Sequence, residues 1–310
     1  MKRLVYKILL LATLVIISYS LLLYLSIVLV KRNPNDYIAA IIEKDMLLKK
    51  TRSPKIIFIG GSNIAFGLDS EKIHNTFGMS VVNMGLYANF GLNFMLQSSM
   101  PYINSNDIVV LSPEYEHFYG EFSYGKKELM DLLCYYPEGS KYIKMTIRQI
   151  KAILISNSSR IRLVNLHSNL NNEIYSRNGF NKYGDMVSYL KLNPILPLRE
   201  ANIQSTEFNE SLLCELNKFV KYVNGRQARF IFLFPSITIT KYNKEKTLID
   251  TVYGRLKDNK LISISSPQDH IYSDKYFYNT NYHLNSIGRQ IRTDRVVNDM
   301  INQLKLVKLQ

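Results

Sequence analysis

The chain reads as an α/β protein: a parallel sheet of five short strands, helices between them, and one apolar helix in front. Three observations predict this. Short runs of mainly β-branched and aromatic residues recur at 56–60, 80–83, 107–111, 229–234 and 261–264, the pattern of buried strands. Several are stopped by turn residues, as by Gly60-Gly61, Ser112-Pro113 and Pro235. The stretches between them carry apolar residues at helical spacing, which supplies the right-handed crossovers that parallel strands need.

The elements follow in order. Met1 to Lys7 is a basic lead, and Ile8 to Val30 is an uncharged run of about 23 residues, the length that spans a bilayer as one helix. The run is too long, and its end too bulky, for a cleaved signal peptide. An uncleaved anchor is therefore expected at residues 1–32. Lys2, Arg3 and Lys7 precede it, and Lys31, Arg32 and Lys44 follow it, so charge counting leaves the side of the membrane open. Residues 33–53 read as a polar, partly helical stalk, and 54–310 as the folded domain.

The domain is organised around Lys55 to Ser70. Ile56 to Ile59 is a strand, Gly60-Gly61 a tight turn, and Asp69-Ser70 a helix cap followed by Glu71 in the first turn. Ser62 sits where strand and turn meet, at the carboxyl end of the strand, where ligands of parallel sheets bind. The stretch has no Gly-Lys-Ser/Thr, no Gly-x-Gly-x-x-Gly and no Gly-x-Ser-x-Gly, so a phosphate loop, a dinucleotide site and a nucleophile elbow are excluded. A helix over 69–77 leads to the second strand. Asn83 to Gly91 turns into a helix near 90–100, and Asp107 to Leu111 ends at Ser112-Pro113-Glu114. Residues from about 120 to 210 break the alternation: 126–155 is helical and basic, and 156–205 is rich in Asn and Ser. This reads as an insertion over the carboxyl edge of the sheet. Helices at 209–223 and 241–256 frame the fourth strand. A last helix over 286–306 follows Tyr276 to Gly288, where His283 precedes the Asn285 cap.

The formal net charge is +14, with 22 Tyr and no Trp. A basic balance suits anionic partners such as acidic lipid or an acidic polymer. The basic residues are dispersed, without an arginine-rich arm or a recognisable nucleic-acid signature, so nucleic acid is not expected as a partner. Cys134 and Cys214 have neither metal spacing nor a Cys-x-x-Cys pair; one disulfide or two free thiols both fit the count.

A serine after the first strand and a histidine entering the last helix share one edge of such a sheet. Gly-Gly-Ser62-Asn-x-x-x-Gly67, Asn83-x-Gly85 and Tyr-His283-Leu-Asn285-x-x-Gly288 together resemble the SGNH (GDSL-like) hydrolases over about 54–304. The likeness is to their membrane-anchored branch associated with surface-polysaccharide acylation and export. The resemblance implies a flavodoxin-like three-layer sandwich, with Ser62 as nucleophile and His283 as base. It also implies an oxyanion hole that includes the N–H groups of Ser62 and Gly85. It implies a serine esterase or O-acyltransferase acting on a cell-envelope glycan, facing outward from a single-pass anchor, with no cofactor and no metal. Other membrane acyl-transfer proteins are the partners it suggests. The chain departs from the family at Gly61, where an Asp is usual, and at Ser112-Pro-Glu-Tyr-Glu-His117, which lacks the oxyanion Asn. No carboxylate precedes His283 within its own loop. Asn279 is the expected group behind the imidazole, with Glu114, Glu116, Asp274 and Asp294 as candidate acids. The second reading is an inactive relative, serving as a scaffold or glycan-binding protein.

Overall fold

The computed structural model describes residues 2–28, 33–144, 146–154, 174–261 and 265–307. Its elements, in chain order, are α1 (Lys2–Val28), α2 (Ile41–Lys50), β1 (Lys55–Gly60), α3 (Ser62–Ala65), α4 (Ser70–Phe77), β2 (Ser80–Asn83) and α5 (Leu92–Ser99). There follow β3 (Ile108–Ser112), α6 (Lys127–Tyr135), α7 (147–154), α8 (Glu210–Gly225) and β4 (Arg229–Phe232). The chain continues with β5 (Ile237–Thr238), α9 (Ile239–Asp258), β6 (Ile271–Tyr272) and α10 (Ser286–Val307).

Among the described residues the main sheet is parallel, in the order β2-β1-β3-β4. Its register pairs Ile56 with Ile108 and Gly60 with Ser112. Strand alternation divides the apolar residues between two faces. Ile57 and Ile59 pack into a core with Leu96, Phe219 and Ile249 of α5, α8 and α9. Ile56 and Phe58 pack into a second core with Ile73 of α4 and Val296 and Met300 of α10. Covering both faces is what a parallel sheet requires.

The expected fifth strand lies mostly at 262–264, outside the described residues, and Leu261 is in no strand. A separate two-stranded parallel pair, β5 with β6, was not expected from the sequence. Of the expected helix over 126–155, α6 and α7 are described, separated by a 3₁₀ segment at Pro137–Tyr142; Ile155 lies outside. Cys134 is buried and Cys214 exposed, and no disulfide joins them.

Two sequence expectations bear on the chain ahead of the domain. The helix α1 is long and apolar enough to cross a membrane: its most apolar window has a mean hydropathy of 2.1 and none of that window is buried. Residues 33–53, expected as a stalk, instead belong to the body. Tyr37, Ile41 and Leu48 are buried in the first core. Lys44 is buried as well, its ammonium donating to the carbonyls of Asn83 at 2.9 Å and Gly184 at 2.6 Å. Those acceptors come from distant segments, so the lysine's burial was invisible locally. Burial presses its pKa down to about 7.

Candidate active site

The path of the chain opens the site. From β1 the chain goes to β2 on one side, then crosses to β3 on the other. A crevice therefore lies between the carboxyl ends of β1 and β3, the usual ligand position in such sheets. The Gly60–Ser112 pairing also aligns what comes next: Ser62 stands two residues beyond β1's end, and Glu114 two beyond β3's. Ser62 Oγ donates to Glu114 Oε1 at 3.3 Å, and the Asn63 N–H donates to the same oxygen at 3.1 Å. Ser62 is partly exposed, whereas Glu114 is 4% exposed.

Gly61 makes that approach possible. A Cβ there would stand 2.8 Å from Glu114 Oε1 and 2.9 Å from Ala88 Cα. The aspartate usual in the resembled family would thus overlap a buried carboxyl and a backbone. Beneath the turn, Arg292 of α10 is fully buried. Its Nη1 donates to the Asn63 carbonyl at 2.6 Å and its Nη2 to Ser112 Oγ at 3.3 Å, while Nε has no partner.

Burial, and then the charge of Glu116, push the Glu114 pKa up to about 7, although the Asn63 N–H, the Ser62 hydroxyl and Lys241 pull the other way. Glu116 faces elsewhere. It accepts from Lys241 Nζ at 2.8 Å and from the Tyr282 hydroxyl at 2.8 Å, and Lys241 also pairs with Glu245 at 2.6 Å. Burial works against the Lys241 charge, but the two glutamates outweigh it and raise its pKa.

His283 enters from the loop before α10. Its Nδ1 lies 2.9 Å from Asn279 Oδ1 and 3.2 Å from the Tyr175 hydroxyl, and Asn279 Nδ2 donates to that hydroxyl at 2.9 Å. A ring N–H on Nδ1 satisfies the Asn279 carbonyl and leaves the lone pair on Nε2. The ring stacks on Phe66, with centroids 4.0 Å apart and planes 5° apart. Phe66 is one helical turn beyond Ser62, and its N–H donates to the Ser62 carbonyl at 2.9 Å. His283 is 5% exposed; burial, and then the positive charge of Arg199, hold its pKa down at about 3.

The structure therefore joins Asn279 to His283, and joins Ser62 to Glu114. No hydrogen bond links Ser62 to His283 among the described residues. The N–H of Gly85, expected in an oxyanion hole, is engaged internally: it donates to Asn83 Oδ1 at 2.9 Å. A Cβ on Gly85 would lie 2.6 Å from the Ala65 nitrogen, so the glycine serves close packing. The Ser62 N–H has no acceptor among the described residues. Of the other candidate acids, Asp274 accepts from Thr240 Oγ1 at 2.5 Å and Asp294 pairs with Lys72. Sequence reasoning missed Tyr175 and Arg292, and it weighed Glu114 only as a group behind the imidazole. Equal offsets beyond paired strand ends were the available signal for Glu114.

Among the described residues, no group of three or more His, Cys, Asp or Glu is arranged to hold a metal ion. No protein-family model, curated protein or solved structure matches this chain.

Proposed function

We propose that this is a membrane-anchored serine esterase or O-acyltransferase, with Ser62 as the nucleophile and His283 as a base of the reaction. The observation that carries the reading is the Asn279–His283 bond, which engages Nδ1 and leaves Nε2 with no hydrogen-bond partner among the described residues. Ser62 supports it as a partly exposed hydroxyl at the sheet's switch point, with a backbone N–H that has no acceptor among the described residues. Attack by Oγ on an acyl carbonyl would build charge on an oxygen that such an N–H can receive. The acyl group then passes to water or to a sugar hydroxyl. The substrate in this reading is an acyl ester of a cell-envelope glycan, and the net charge of +14 suits an acidic polymer. The anchor α1 holds the domain at the outer face of the membrane. A fifth strand at 261–264 and a flavodoxin-like three-layer sandwich belong to the same proposal.

One observation favours a second reading, an envelope scaffold or glycan-binding protein without catalysis: the Gly85 N–H is already bonded to Asn83. A fluorophosphonate probe, which modifies activated serines, separates the two. Labelling of the wild-type chain that is lost in Ser62→Ala supports the enzyme. Absence of labelling, or labelling that survives the substitution, removes it.

A further inference from the structure

We propose that Glu114 is the catalytic base that takes the proton of Ser62 when its hydroxyl attacks. The inference rests on Ser62 being the nucleophile, and it changes which group accepts the first proton.

A general base must lie within hydrogen-bond reach of the proton it removes. Ser62 Oγ is bonded to Glu114 Oε1 at 3.3 Å, and that is its bond in the resting site. The oxygen is held for this: the Asn63 N–H donates to it at 3.1 Å, and Gly61 leaves the space it occupies. Among the described residues no cation pairs with Glu114, and Lys241 is bonded instead to Glu116 and Glu245. A carboxyl locked to an ammonium would be a feeble acceptor; this one is buried and free of such a lock.

Chemistry favours the same group. A neutral imidazole buried beside an amide has no negative charge behind it to stabilise an imidazolium. Glu114 is a group whose burial raises its basicity toward neutrality, the range in which a base is both ionised and effective. Other charged and titratable groups surround it from every packed element. Glu116 and His117 come from its own loop, Lys241 backed by Glu245 from α9, and Arg292 from α10. Tyr37, Tyr87 and Tyr282 complete the surround with neutral hydroxyls.

The step balances. Ser62 Oγ forms its bond to the acyl carbon as its proton moves to Glu114 Oε1. The ester C–O bond then breaks, and the leaving oxygen takes the proton back from the carboxyl. The Glu114 carboxylate is regenerated with the acyl-enzyme. His283 Nε2 is left for the hydroxyl of the acceptor.

The test is the rate at which a fluorophosphonate labels the full-length chain in detergent micelles, measured from pH 5 to 9. There Oγ bonds to phosphorus, fluoride leaves, and the proton goes to Glu114. The wild-type rate should climb through neutral pH to a plateau. Glu114→Gln should lower the plateau by roughly 10²–10⁴-fold, the range for general-base catalysis, and abolish the climb. Glu114→Asp should restore part of the rate together with the pH limb. The Glu114→Gln chain should melt no lower than wild type at pH 8, so that the loss is not one of folding; should it fail to fold, the Glu114→Asp profile decides, and a pH limb identical to wild type in position and height overturns the proposal. A folded Glu114→Gln variant labelled at more than half the wild-type rate, or with an unchanged pH limb, also overturns it and leaves the Ser62 reading standing. A wild-type chain unlabelled at any pH takes down both.

Discussion

Replacing Asn279 by Asp would put a charge where an amide now sits. Asn279 Oδ1 is 2.9 Å from His283 Nδ1, so the carboxylate and imidazolium charges would be centred about 4 Å apart, worth about 4 kcal/mol at an effective dielectric of about 20. At about 1.4 kcal/mol per pKa unit, this would raise the His283 pKa by about 3 units. Asn279 is only half-buried, and solvent around the new carboxylate reduces the gain to about 2 units. The His283 pKa would then move from about 3 to about 5. Stability against acid should follow. The folded-state pKa is depressed below the ordinary 6.5, so this histidine's contribution is present above pH 6.5 and is lost as pH falls toward 3. Asn279→Asp should therefore recover about 2 kcal/mol near pH 3, where the wild-type ring is half protonated. The assay is a pH titration of ring ¹⁵N and ¹H shifts in detergent micelles. The chain has 5 histidines, and His283 is assigned by its disappearance in His283→Gln. An upward shift of less than about one unit in Asn279→Asp would show that Asn279 does not stand behind the imidazole, and the reasoning for that pair would fail.

Three further outcomes are expected. Glu114 has a folded-state pKa raised to about 7 from 4.5, so its stability contribution is full below pH 4.5 and is lost as pH rises through 7. Glu114→Gln should be more stable than wild type by about 3 kcal/mol at pH 8 and equal to it near pH 4; denaturant unfolding giving equal differences at the two pH values would contradict this. Lys241→Met leaves Glu116 and Glu245 buried without their cation and should cost about 3–5 kcal/mol, with part of the loss recovered by adding Glu116→Gln and Glu245→Gln. If the triple variant is no more stable than Lys241→Met, the unpaired charges are not the cause. Removing residues 1–32 should leave a folded, detergent-independent domain by circular dichroism and gel filtration, whereas removing 1–53 should unfold it, because Tyr37, Ile41, Lys44 and Leu48 go with it. A folded 54–310 fragment would refute the assignment of 33–53 to the body.

By itself the sequence determined the elements that depend on local pattern. The strands at β1, β2, β3 and β4 are short apolar runs, and their parallel arrangement follows from the helices between them. The cap at Asp69, which accepts from the Lys72 N–H at 3.2 Å, and the cap at Asn285, which accepts from the Gly288 N–H at 3.0 Å, were legible from residue type. The placing of Ser62 after β1 and of His283 just before α10 was legible in the same way, and so was Asn279 as a neighbour of His283 in one loop. Tertiary structure alone decided the rest. The Ser62–Glu114 bond spans 52 positions and exists because β1 and β3 pair in one register. The Gly85 N–H looks free in a glycine turn, yet Asn83 claims it once its side chain folds back. Lys44 reads as a solvated charge, yet two carbonyls from distant segments accept its protons inside the protein. Periodicity and capping are properties of one segment, readable within a few residues. Which donor meets which acceptor, and which N–H remains free for a substrate, depends on groups that only the completed fold brings within 3 Å or so of each other.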